Sequence, residues 1–300
     1  MFKKVVKASL AIGITLGLAA CGSDSEEAGN TPSSSTASVG ESVEYEIIGI
    51  DPGAGIMKAT ASAIDEYGLE EWTLVEGSGA AMTAALKKAY DKEEPIIITG
   101  WTPHWKFSAF DLKYLEDPKG VYGGEEFIHS IGRLGLNEDL PGVHKLLSQF
   151  KWEAADMEEI MVDIQDGEDP KEAAAKWIES NSDKVAQWTE GVQEGNGEEV
   201  TIALVAWDST IASTSVITNV LEDLGYKVTQ RQVEAGPMWT GVADGSVDAF
   251  LAGWLPVTHA DYAEKFDGQF EKIGTSMEGV KIGLVVPEYM DIDSIEDLKE

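Results

Sequence analysis

The sequence predicts an α/β protein of two similar lobes, each built on an open, mainly parallel sheet. Three observations lead there. From Val43 onward, apolar runs of four to six residues alternate with helical stretches, the pattern of parallel strands covered on both faces. The same order of elements recurs after Glu199. Each third strand then runs into a matching tetrapeptide, Gly100-Trp101-Thr102-Pro103 and Gly253-Trp254-Leu255-Pro256, which marks an internal repeat. A chain of 300 residues, 43% hydrophobic, has room for two lobes of about 100–150 residues each.

In the first unit, residues 45–50 read as a buried strand, 54–67 as a helix, 72–75 as a strand, 80–90 as a helix and 95–99 as the third strand. In the second, 200–206, 227–233 and 249–252 read as strands, with helices over 209–224 and 238–243. Asp51 stands 17 positions before Gly68, and Asp208 stands 17 before Gly225, a further match between the units; each aspartate reads most simply as a helix cap. Residues 138–190 between the units are expected to be largely helical. There, 154–164 has amphipathic spacing and 170–188 opens on a proline suited to a first helical turn. Residues 191–199 form a polar connector, 281–286 a further strand, and 294–300 a helix with Ser294 at its N-cap.

The N-terminus reads as an address. Lys3, Lys4 and Lys7 precede the apolar run 8–20, which is too short to span a hydrocarbon core, a task for about 20 residues, and fits a signal-peptide core. Leu18-Ala19-Ala20-Cys21-Gly22 resembles a bacterial lipobox, which implies removal of 1–20 and a lipid on Cys21. The alternative is an ordinary secretory signal with an incidental cysteine. Residues 21–42 are then a flexible Ser/Gly/Thr-rich tether. Residues 43–130 with 286–300 form the first lobe, and 131–285 the second.

The net charge of −32, from 54 acidic residues against 22 basic ones, excludes an ordinary nucleic-acid binder, which needs clustered Lys and Arg. Acidity of this kind fits a surface adapted to salt. A single cysteine excludes an internal disulfide and cysteine-based metal sites, and His104, His129, His144 and His259 show no metal-ligand spacing. No metal and no cofactor are expected.

Open α/β sheets bind ligands beyond the carboxyl ends of their strands. Three of the four such ends carry tryptophan, namely Trp101, Trp207 and Trp254, and the fourth carries the turn Pro52-Gly53-Ala54-Gly55-Ile56 into a helix. Three π faces suit a quaternary ammonium, and a glycine-bearing helix start suits a carboxylate, although the same turn could serve only as a tight bend. Trp72, Trp152, Trp177, Trp188 and Trp239 are assigned to packing within the lobes. His259 reads either as a ligand donor or as a surface partner of Asp261, while His104 and Trp105 are placed at the cleft rim.

The segments DPGAGIM, TGWTPHW, AWDSTIAST and AGWLPVTHADY resemble those of glycine betaine-binding lipoproteins of ABC-type osmoprotectant importers, over about residues 43–300. The resemblance implies a two-lobed, type II periplasmic-binding-protein fold with the ligand cleft between the lobes. It implies that Trp101, Trp207 and Trp254 form a prism around the trimethylammonium group. Gly55 and Ile56 would bind the carboxylate through backbone amides, with His259 as a third donor. The expected protein is lipid-anchored on the extracytoplasmic face and delivers glycine betaine, or a related zwitterion, to a membrane permease and its ATPase. A tethered sensor using the same cleft is the alternative. A secreted hydrolase, with Asp51 and Asp208 as acid and base, lacks any GxSxG or SxxK nucleophile motif.

Overall fold

The two halves of the repeat fold into equivalent strand–helix units that meet in one curled sheet. A computed structural model describes residues 38–299; the expected signal segment 1–20, Cys21 and most of the tether lie outside the described residues. The strands are β1 (Glu46–Ile48), β2 (Thr73–Val75), β3 (Ile98–Thr102), β4 (Leu112–Tyr114), β5 (Glu126–Arg133), β6 (Glu199–Leu204), β7 (Lys227–Gln232), β8 (Ala249–Leu255) and β9 (Phe270–Pro287). Their order is β2-β1-β3-β9-β5-β8-β6-β7, with β4 also paired to β9. β1 lies parallel between β2 and β3, and β6 lies parallel between β7 and β8, so the duplicated unit appears twice with the same topology.

Local chemistry sets the element ends. The helix Gly55–Tyr67 stops at Gly68, whose φ of 68° closes the last turn in the left-handed region. Its counterpart Asp208–Asp223 is followed by Gly225 at φ 90°. Neither aspartate caps its helix: Ala54 and Trp207 occupy the N-cap positions, and neither makes a side-chain cap bond. Asp51 lies in the turn before the first helix, whereas Asp208 is the first residue of the second. Helix Gly79–Tyr90 is capped by Ser78, whose hydroxyl accepts from the Ala81 amide at 3.2 Å. The end of the expected tether is ordered, since Val39–Ser42 form a helical turn in which Ser38 and Glu41 cap each other.

The third strand runs three residues beyond the sequence expectation. Its antiparallel partner, Lys281–Val285 of β9, carries the ladder through Gly100 and Trp101 to Thr102. Gly100 permits this, because a Cβ there would sit 2.4 Å from Val285 Cγ2. β8 likewise runs through Trp254, and the peptide bonds before Pro103 and Pro256 are both cis. Ser294 does cap the final element, which is a short 3-10 turn, Ile295–Leu298.

Sequence reading did not find β4, β5 or the first half of β9. β9 pairs with β5 from Phe270 to Val280 and with β3 from Lys281 onward, so a single strand belongs to both halves of the sheet. The return connection runs through residues 115–125. The β5–β9 pairing shifts register at three places, which strengthens local twist and curls the sheet.

The helical insert between the repeats consists of Pro141–Gln149, Ala154–Gln165, Pro170–Ser180 and Ser182–Thr189. Two of these helices cover the outer face of Asp208–Asp223, whose inner face lies on β6–β8. This explains its composition: Ser209, Thr210, Ala212, Ser213, Thr214 and Ser215 are all buried, and small side chains permit close approach on both sides. An aromatic nucleus holds the insert, with Trp177 stacked on Trp188 at 5.7 Å and Phe150 and Trp152 edge-on or tilted against them. Trp72, Trp152, Trp177, Trp188 and Trp239 are all core residues, as expected.

Candidate functional site

One cavity lies where the carboxyl ends of β1, β3, β6 and β8 converge, at the position that open sheets offer a ligand. Its walls include Trp101, Trp207, Trp254, Gly55, Ile56 and His259, so all six residues singled out from sequence are brought together. Ile50, Ala54, Ser209, Thr258 and Ile282 complete the lining. It encloses about 340 Å³ of non-atom space including its open mouth.

The three indoles come from two kinds of local structure. Trp101 and Trp254 project from the ends of β3 and β8, where pairing with Ile282 of β9 and Ile128 of β5 fixes the backbone. Trp207 sits in the loop after β6, stacked on the His259 ring at 6.1 Å and 25°. Its Nε1–H donates to Asp51 Oδ2 at 3.1 Å, a contact between the two repeats. This hydrogen bond to the opposite wall is the role the structure gives Asp51.

The helix Gly55–Tyr67 supplies the anion-seeking wall. The amides of Gly55 and Ile56 have no acceptor among the described residues, as the first turn of a helix dictates, and the helix dipole adds positive potential there. Gly55 is held very close to the opposite wall: a Cβ at this position would fall 1.8 Å from the Thr258 carbonyl oxygen.

His259 is 1% exposed. With Nδ1 accepting from the Trp254 amide at 3.2 Å, the ring proton sits on Nε2, which has no hydrogen-bond partner among the described residues. Burial pushes the ring down to about 4, with the charge of Lys58 adding to the effect and the Ala252 carbonyl opposing it. At neutral pH His259 is therefore an uncharged donor on the cavity wall, not a surface partner of Asp261. Asp261 instead pairs with Lys58 at 3.0 Å, an exposed contact of small energetic weight. Tyr262 reaches across more firmly, donating to the Gly53 carbonyl at 2.8 Å.

His104 and Trp105 are buried rather than at the rim. His104 packs edge-on to Trp101 at 4.7 Å, and its Nε2 stands 3.2 Å from Asp208 Oδ2, near enough to feel its charge without a well-aligned hydrogen bond. Burial and the nearby Lys106 push His104 down to about 4, against the pull of Asp208. Burial pushes Asp208 up, yet contact with His104 and the charge of Lys106 hold it below the usual carboxylate range. Lys106 is 0% exposed; its Nζ lies 4.3 Å from the Trp101 ring centroid and has no hydrogen-bond partner among the described residues. The cluster therefore links the two repeats directly behind one wall of the cavity.

Lys106 carries a stability prediction. Burial pushes its ammonium from 10.5 down to about 7, so between those values the unfolded chain binds more protons than the folded one. Stability should then rise with pH across this window, by up to about tenfold in the folding equilibrium per pH unit. Lys106→Met should flatten the rise and stabilise the protein at pH 6–7. Urea midpoints at pH 6.5 and 9.5 check both, and an unchanged slope in the variant would remove Lys106 as its source.

Sequence reasoning missed Thr258, Ser209 and the cross-cleft roles of Asp51, Asp208 and His104. Thr258 stood one residue from His259 and was the easiest to find. Glu126, described below, gave no signal, being one acid among 54.

A ligand cavity between two duplicated α/β units, lined by indoles and helix-end amides, defines the class: a two-lobed substrate-binding protein. The chain belongs to the family described as the substrate-binding domain of ABC-type glycine betaine transport systems (OpuAC), whose model matches residues 25–180 and 198–300. It is 48% identical to the glycine betaine/carnitine transport binding protein GbuC of Listeria monocytogenes, over 100% of this chain and 99% of that protein. It is also 31% identical, over 34% of its length and 68% of the other chain, to the uncharacterized protein ORF1 of Chromohalobacter salexigens. Among solved structures, lactococcal OpuAC complexed with glycine betaine matches at 42% identity over 48% of this chain and 57% of that one, with a TM-score of 0.44. An ABC-transporter choline-binding protein complexed with choline matches at 26% over 62% and 61%, with a TM-score of 0.47. This chain thus spans less than two thirds of either solved chain.

Proposed function

We propose that this protein captures glycine betaine, or a related quaternary-ammonium zwitterion, and releases it unchanged to the permease of an ABC importer. A lipid on Cys21 would hold it at the extracytoplasmic face of the membrane. The observation that carries the reading is the polarity of one cavity: Trp101, Trp207 and Trp254 on its sides, and two free helix amides with the His259 Nε2–H on its remaining walls. The indole faces attract a cation that cannot donate a hydrogen bond. The amides and imidazole N–H need an acceptor, and a carboxylate provides one. The two demands meet in a compact zwitterion. Family membership and the GbuC relative support the same ligand class.

We further propose that the lobes divide at residues 125/126 and 280/281, where strand pairing passes from one half of the sheet to the other, rather than at 130/131 and 285/286. The cavity walls then split, with Trp101, Gly55 and Ile56 on one lobe and Trp207, Trp254 and His259 on the other. Binding should therefore draw the lobes together.

Calorimetry on purified protein should show saturable 1:1 binding of glycine betaine with a change in tryptophan fluorescence. A neutral isostere with tert-butyl in place of trimethylammonium should bind far more weakly. No heat and no fluorescence change at millimolar betaine would remove the assignment. Equal affinity for the isostere would reduce the cage to an apolar box.

A further inference from the structure

We propose that Glu126 is a positioning residue for the carboxylate-binding wall: it fixes the Val257–Thr258 turn and thereby aims His259 into the cavity. The inference rests on the betaine-binding reading and assigns a residue to it that lines no part of the cavity. Glu126 is 0% exposed, the first residue of β5, and 131 positions away from the turn it holds. Its Oε1 accepts from the amides of Val257 at 2.8 Å and Thr258 at 2.7 Å, and its Oε2 accepts from the Thr258 hydroxyl. The two amides have no other acceptor among the described residues.

The turn is short and doubly fastened. At one end the His259 amide donates to the Trp254 carbonyl at 2.9 Å, and the Trp254 amide donates back to the His259 ring at 3.2 Å. At the other end stands Glu126. Between them, the Thr258 carbonyl abuts Gly55 and the His259 Nε2 is left without a hydrogen-bond partner among the described residues. Burying a carboxylate is costly unless its acceptor sites are filled, and here three donors from two consecutive residues fill them. A local Ser or Asp could cap such a turn, but only relative to the turn itself. Glu126 fastens it to the place where the chain enters the second half of the sheet, opposite Val280, one residue before β9 passes to β3. The wall that would grip a carboxylate is thus tied to the connection between the halves.

Glu126→Asp withdraws the acceptor by one methylene while keeping its charge, and Glu126→Gln keeps its reach. In the full-length protein, calorimetry with glycine betaine should show at least a tenfold loss for Glu126→Asp and less than threefold for Glu126→Gln. Added to Glu126→Asp, His259→Ala should cost less than threefold more, because the histidine is already misdirected. Thr258→Val, which leaves the amides bonded, should fold normally and also be non-additive with His259→Ala. Independently of any ligand, NMR titration of the His259 ring should move from about 4 in the native protein toward 6.5 in Glu126→Asp. Losses that multiply with His259→Ala, or an unmoved ring titration, would overturn the proposal. Absence of betaine binding in the native protein would instead overturn the functional reading, and the titration would still decide the role of Glu126.

Discussion

Trp207→Ala is expected to weaken glycine betaine binding at least 30-fold. A desolvated cation–π contact is worth about 2 kcal/mol, and 1.4 kcal/mol is a factor of ten in affinity. Trp101→Ala and Trp254→Ala should each cost a similar factor. Trp207 should exceed both, because its indole also stacks on His259 at 6.1 Å and donates to Asp51 across the cleft at 3.1 Å. Trp207→Phe separates these contributions, since it keeps a π face but loses the donor, and it should fall between native and alanine. Calorimetric titration of the four variants checks the order. A Trp207→Ala protein that bound within threefold of the native one would mean the indole does not face the cation.

Gly55→Ala should be as damaging by a different route. The residue opens a helix, so alanine has no conformational objection to the backbone there. The obstruction lies across the cleft, where the new methyl would meet the Thr258 carbonyl oxygen at 1.8 Å and its carbon at 2.7 Å. Backbone cannot yield as a flexible side chain would, so the halves must part. A binding-competent state made rare lowers apparent affinity in proportion, and roughly 100-fold is the expected loss. The melting temperature without ligand should change little, because a slightly opened cleft accommodates the methyl. Scattering should report a larger radius of gyration for the variant at saturating betaine. Native affinity in Gly55→Ala would show that the close approach is not required for binding.

The duplicated unit was legible because its inner strands β3, β6 and β8 are largely buried on both faces and its punctuation repeats: Gly68 and Gly225 after the first helices, Gly-Trp-x-Pro at the ends of the third strands. The three indoles of the cavity were legible because each stands at a strand end, two of them in matching positions of the repeat. β5 and the first half of β9 were not. Their stability comes from each other across more than a hundred residues, and their polar, glycine-broken patterns (EFIHSIGR, FEKIGTSMEG) carry no clean period. Asp51 and Asp208 were read as caps because an acid near a helix start does that locally. What they contact instead, Trp207 and His104, lies on the other half of the molecule, where a linear pattern has no reach. His104 was placed at the rim for want of any sign that Asp208 and Lys106 would enclose it. Glu126 shows the limit most clearly, as its partners are two backbone amides, and those leave no trace in residue identity.

The shared strand β9 bears on how the chain is made. Everything that completes the first half, from Lys281 through the 3-10 turn Ile295–Leu298, is synthesised after the whole of the second half. A nascent chain halted anywhere before Lys281 leaves β3 with an open hydrogen-bonding edge and Val285 missing from the face of Gly100. The first half therefore cannot finish folding until the second has been made, so the order of the ribosome is not the order of assembly. The β3–β9 pairing then forms late, which slows folding and leaves the edge of β3 open until Lys281–Val285 have been made.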